Sequence, residues 1–173
     1  MARYYRRRYT RVVRPKKKWA SCIDVWRSRS ITSTPFVIDL ATNSAQSASP
    51  TPSILKVGNF KVTADIIARF STSTSISLIG TLYILFVPEG ISGSGAIQAL
   101  PVQHPEYIMA TKVIGSSYQS GEYISLDTIN VSTRMKRNLN SGDKVVMYLD
   151  FDGSGNPASV GLTGNVRYWA CTN

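Results

Sequence analysis

The sequence predicts an all-β chain, a sandwich of about eight strands behind a basic N-terminal arm, and three observations carry that expectation. Ser and Thr together number 36, Ile plus Val number 29 against 10 Leu, and Glu occurs only three times. That composition disfavours helices and suits strands joined by polar turns. Several segments alternate apolar and polar residues with a period of two, and none sustains a helical period. Between them lie stretches rich in Gly, Ser, Asn, Asp and Pro, the residues that tight turns require. At 173 residues the chain has room for one such domain, 19–173, and its arm, 1–18.

Taken in order, residues 1–18 hold nine of the 20 Lys and Arg and no acid, whereas 19–173 hold 11 basic and 10 acidic residues. A strongly cationic arm therefore precedes a nearly neutral body. The first expected strands are 19–28 and 34–41, followed by a Ser-, Ala- and Pro-rich connection over 42–53. Phe60–Phe70 is the clearest strand. Phe60, Val62, Ala64, Ile66, Ala68 and Phe70 share one face, and Lys61, Thr63, Asp65 and Arg69 the other. Thr81–Val87 is an unbroken apolar run closed by Pro88-Glu89-Gly90, as expected of a strand covered on both sides. Residues 90–96, rich in Gly and Ser, read as a turn. Strands at 105–115 and 122–133 come next. After Asn140-Ser141-Gly142-Asp143, Lys144–Phe151 directs Val145, Met147, Leu149 and Phe151 inward. The last strand follows the turn Asp152–Pro157 and places Val160, Leu162, Val166, Tyr168 and Ala170 on one side. Eight strands with long loops fit a two-sheet sandwich, and its eight-stranded version is the jelly roll.

The arm interleaves Arg3, Arg6, Arg7, Arg8, Arg11, Arg14, Lys16, Lys17 and Lys18 with Tyr4, Tyr5 and Tyr9, and it has too few apolar residues to bury itself. Guanidinium groups pair with phosphate oxygens and tyrosine rings stack on unpaired bases, so the mixture suits single-stranded nucleic acid. No base-reading scaffold accompanies it, so sequence selectivity should be low. Deletion of residues 1–18 is expected to abolish that binding. Arg14-Pro15-Lys16-Lys17-Lys18 has the form of a nuclear-import signal, which adds an import receptor to the expected partners. Arg134, Lys136 and Arg137 are candidates for a second basic contribution beside the arm, and the plain alternative is a solvated strand end.

Other chemistry is sparse. The longest apolar runs, such as Ile79–Val87, fall well short of the roughly 20 residues that cross a bilayer. The charged, aromatic start does not read as a secretory signal. His104 is the single histidine, so a two-histidine metal site is excluded, and neither cysteine is flanked by a further ligand. Asp150-Phe151-Asp152-Gly153 begins like a calcium loop, but Gly161 stands where the closing glutamate belongs. No phosphate loop or nucleophile elbow occurs, so no enzyme, metal or cofactor is expected. Cys22 and Cys171 lie on the first and last candidate strands, neighbours in a jelly roll, and are expected to be free thiols. Ile91, Ile97, Leu100, Val102 and Tyr118 are candidates for subunit contacts from exposed loops, or else for covering the ends of the sandwich.

The start Met1-Ala2-Arg3-Tyr4-Tyr5-Arg6-Arg7-Arg8, ahead of an all-strand domain of this size, resembles the coat proteins of small circular single-stranded DNA viruses, the circovirus-like viruses that encode a replication initiator. Asn59-Phe60-Lys61-Val62, Tyr83–Gly90, His104-Pro105-Glu106, Arg134–Asp143 and Tyr168-Trp169-Ala170-Cys171 extend the resemblance along the chain. It implies a capsid protein with a single jelly-roll domain, about sixty copies of which close into an icosahedral shell around circular single-stranded DNA. The arm would lie inside, and the chain would be found in the virion and, during assembly, in the host nucleus. Nine charges on each of sixty arms come to on the order of 540, enough to offset much of a genome of one to two thousand nucleotides. Two other classes share parts of the pattern. A satellite or small RNA virus coat protein would have the same arm and sandwich. A cellular nucleic-acid-binding protein would have a similar tail, usually with basic residues on its folded face as well.

Overall fold

Nine strands, one ten-residue helix and a 3-10 turn make up the regular structure of the described residues, which in this computed structural model are 18–32, 35–43, 54–71, 78–91, 93–152 and 157–172. In chain order they are β1 (Ala20–Ile31), β2 (Phe36–Thr42), β3 (Leu55–Arg69), β4 (Ile79–Val87), α1 (Ser94–Gln103), the 3-10 turn Pro105–Tyr107, β5 (Ile108–Ser120), β6 (Tyr123–Leu126), β7 (Ile129–Leu139), β8 (Lys144–Asp152) and β9 (Ser159–Thr172). Apart from the one short helix the fold is all-β.

Every strand pairing is antiparallel. β9 lies between β1 and β3, while β7 and β6 follow one another along the far side of β3. β8 lies between β2 and β4, and β4 pairs on its other side with the first half of β5. The second half of β5 crosses to β6, with Ser116 opposite Leu126 and Ser120 opposite Tyr123. The two sets join along that strand, and the sheet curls nearly closed with β1 and β2 at its two ends.

The inner faces of both sets share one core. Phe60, Val62, Ala64, Ile66, Ala68 and Phe70 are all buried, as the period of two requires, and they meet Ile38, Leu82, Ile84, Met147, Leu149, Leu162 and Val166 in a single cluster. Tyr168 stacks on Phe60 with ring centroids 5.2 Å apart. A second cluster lies on the outer side of β4 and β8, where Leu85, Val87, Val146 and Tyr148 pack against Leu100 of α1. Thr81–Val87 is apolar throughout because its strand is covered on both faces.

Three departures from the sequence reading have identifiable causes. The segment expected as one strand over 122–133 is two, β6 and β7, parted at Asp127-Thr128, where the Asp127 N–H donates to the Gly115 carbonyl and the Thr128 hydroxyl to Asp65. The buried positions shift from Ile124 and Leu126 to Ile129 and Val131, a slip of one that no uninterrupted strand keeps on one face. β3 begins at Leu55 rather than Phe60 because a bulge at Asn59, with φ 54°, resets its phase after the buried Val57. The expected turn at 90–96 runs into a helix over 94–103 that the sequence reading did not include. The helix is too short to show a period, and it sets Ile97 and Leu100 inward while Val102 stays 86% exposed. Ile97 and Leu100 are therefore not exposed loop contacts, and the half-buried Ile91 packs with the outer cluster. The Tyr118 side chain lies outside the described residues.

β1 and β9 are neighbours, and Cys22 stands opposite Tyr168 in their register. Cys171, three residues further along β9, falls on the other face, and no disulfide joins the two cysteines.

A buried carboxylate fastens the β7–β8 turn. Asp143, 5% exposed, accepts the Glu89 N–H through one oxygen and the Asn140 N–H through the other, each at 2.8 Å. Its backbone carbonyl accepts the Asn43 N–H, and the Asn43 side chain donates to the Leu139 carbonyl. Replacing Asp143 by Ala leaves two partly buried donors without their acceptor and should cost about 1–3 kcal/mol, read as an earlier midpoint in urea. Asp143→Asn, which keeps an acceptor, should cost less, and equal midpoints for all three proteins would show that the knot is not a stabilising element.

Candidate nucleic-acid interface

Lys18 and Trp19 are the first described residues, and they lead straight into β1. Arg3, Tyr4, Tyr5, Arg6, Arg7, Arg8, Tyr9, Arg11, Arg14, Pro15, Lys16 and Lys17, the rest of the expected binding arm and import signal, lie outside the described residues. The described part of the candidate interface is Lys18, Trp19 and the sheet surface beside them.

The three clustered cations of β7 differ in direction and burial. Residues directly opposite in neighbouring strands share a face. Lys136 is opposite Gly58, and Arg137 is opposite the fully buried Val57. Arg137 therefore turns inward at the end of the sandwich. Its guanidinium carbon sits 5.5 Å from the Phe86 ring centroid, and one of its terminal nitrogens donates to the Glu106 carbonyl. The Glu106 carboxyl is held below its usual range, first by a backbone N–H and next by His104, with Arg137 a smaller contributor. Arg137 thus pins the β4–β5 connection to β7. Arg134 and Lys136 remain exposed. The Lys136 ammonium lies 5.3 Å from the Trp19 ring centroid. Its stem crosses Gly58, where an added Cβ would meet the Lys136 Cγ at 2.7 Å, so the glycine clears its path.

Strand adjacency enlarges this pair into a patch. One row across the sheet aligns Ser21, Trp169, Gly58 and Lys136, and the next outward row aligns Ile23, Arg167, Lys61 and Ser132. Lys56, Lys61, Arg134, Lys136 and Arg167 thus stand on the outer surface of β3, β7 and β9, with Trp169 43% exposed among them. The first carboxylate met along β3 on this surface is Asp65, four residues beyond Lys61 and roughly 13 Å away along the strand. That separation exceeds the Debye length of about 8 Å at physiological ionic strength, so the acid does little to mute the cations. The near-neutral total of the body conceals a one-sided distribution.

Lys56, Lys61, Arg167, Trp169 and Trp19 were not legible as site residues, because no run or motif holds them. They meet only through the β9–β3–β7 register. Elsewhere, His104 pairs with Glu106 at 3.0 Å and stacks on Tyr107. Among the described residues no group of three His, Cys, Asp or Glu is placed to hold a metal ion, and no helix is long and apolar enough to cross a membrane.

Comparison with protein-family models and with curated proteins finds no match.

Proposed function

We propose that the chain is a viral coat protein of the circovirus-like kind, a jelly-roll subunit that assembles into an icosahedral shell and packages circular single-stranded DNA. The observation that carries the reading is the strand order. With β6 and β7 taken as two halves of one strand against β3, the strands divide into β1-β9-β3-β7 and β2-β8-β4-β5. Each set has four members, and successive strands alternate between sets except at β4 and β5, which are consecutive and paired in one set, in the manner of the eight-stranded jelly roll. The cationic arm and the patch at its root supply the attraction for phosphate, and the import signal at 14–18 fits assembly in a nucleus. The reading assigns the chain no catalysis.

The patch also favours a second reading, a cellular single-strand-binding protein, because basic residues on a folded face are what such a protein uses. One experiment separates the two. Purified full-length protein should sediment as closed particles of about sixty copies of a 19.0 kDa chain, near 1.1 MDa. Those particles should hold nucleic acid that resists nuclease until the shell is opened and that is then destroyed by DNase. RNase-sensitive contents would point to an RNA virus coat, and a protein that binds strands while remaining monomeric would give the cellular reading.

A further inference from the structure

We infer that the cleft at the root of the arm is a nucleotide site, in which one nucleotide of a single strand is held with its phosphate on Lys56 and Lys136 and its base against Trp19. The inference rests on the packaging reading and names where in the folded body the strand is gripped. The cleft has a volume of about 430 Å³ and is lined by Trp19, Lys56, Phe86, Lys136, Arg137 and Asn138. That volume lies within the range of roughly 300–1,000 Å³ typical of ligand clefts. Three cations, two aromatic rings and an amide line it, with no carboxylate among the described residues, and this combination matches a phosphate joined to a flat base rather than a peptide or a sugar.

The groups are already arranged. Lys136 lies over the Trp19 ring and Arg137 over the Phe86 ring, so both cations are drawn to the aromatic walls of the cleft. The Arg137 Nε is buried with no hydrogen-bond partner among the described residues, a donor for which an anion is the matching acceptor. Position supports the assignment. Trp19 directly follows Lys18, the last cation of the arm, so a strand gathered by residues 1–18 reaches the cleft first. Lys61 and Arg167, in the row beyond Lys136, continue the path across the sheet.

The test uses the full-length chain with a thymidine oligonucleotide carrying 5-bromodeoxyuridine, irradiated and mapped by peptide. A cross-link at Trp19 is expected, and Trp19→Phe should preserve affinity. Trp19→Ala should weaken it by roughly 5- to 100-fold, the loss that follows removal of one stacked base. Lys56→Ala with Lys136→Ala should reduce the slope of log affinity against log salt by about 1.4. Competition identifies the source of the phosphate. Thymidine monophosphate that displaces the Trp19 cross-link while arm cross-links persist shows that a free nucleotide fills the cleft. Failure to compete while the Trp19 cross-link stands shows that the occupant is part of a strand. Inorganic phosphate displacing the cross-link as well as the monophosphate does would overturn the role of the base. Cross-links confined to residues 1–18, with the oligonucleotide still bound, overturn the cleft and leave packaging standing. An oligonucleotide not retained at all, even at low salt, overturns both.

Discussion

Full-length protein should lose about five to six orders of magnitude in affinity for a thymidine oligonucleotide as salt rises from 50 to 200 mM, and protein lacking residues 1–18 should lose only about two. Binding to a polyanion releases about 0.7 counterions per phosphate neutralised on a single strand, so the nine arm cations alone give a slope of about −6 in log affinity against log salt. The sequence alone leads to the expectation that truncation abolishes binding. The patch of Lys56, Lys61, Arg134, Lys136 and Arg167 changes that expectation, because four exposed cations and the half-buried Lys56 on one face leave a residual slope of about −3. Anisotropy of a labelled oligonucleotide at four or five salt concentrations gives both slopes. Replacing Lys61 and Arg167 by Glu in the truncated chain should remove most of what remains. A truncated chain with the full slope would move the binding site off the arm entirely.

In nucleic-acid-free buffer at moderate salt, the same truncated protein should form empty particles near the mass of a shell, whereas the full-length chain should need an anion to close. In the proposed shell, about sixty arms of charge +9 would share one cavity and repel one another strongly, whereas bodies of nearly balanced charge would not. Closure is then a property of the folded bodies, and cargo loading a property of the arms. Sedimentation velocity distinguishes a particle of this size from a monomer without ambiguity. A truncated protein that stays monomeric, and assembles only when arm and DNA are both restored, would reverse the division and make the nucleic acid the scaffold.

The legible parts of the fold were those with an unbroken period. Phe60–Phe70, Lys144–Phe151 and Val160–Ala170 state their buried faces in the sequence, and the structure keeps them. Errors arose where the period slips, at Asn59 and between Leu126 and Ile129. In both places the slip was itself a readable signal of a bulge or a break. Helix α1 gave no such signal: ten residues with Pro101 in the last turn are too few for a stripe to emerge. The site was half legible. The arm is a charge run and announces itself, but the patch joins residues from positions 56 to 167 that only the pairing of β9 with β3 and β7 with β3 brings together. Net charge is a sum, and a sum carries no direction.

The position of β9 has a kinetic consequence. β1, just behind the arm, pairs with β9, which also forms one flank of β3, so that half of the sheet cannot close until residues 159–172 have been made. At synthesis rates of about 5–20 residues per second, roughly 7–30 s separate the emergence of β1 from that of β9. Through that interval β1 presents an unpaired edge with Ile23 and Val25 on it, and pairing across nearly the whole chain makes the closing step slow. The arm is free to meet a polyanion before the body behind it has folded. Cooling during expression, or synthesis with an oligonucleotide present, should therefore raise the soluble yield of the full-length chain more than that of the truncated one.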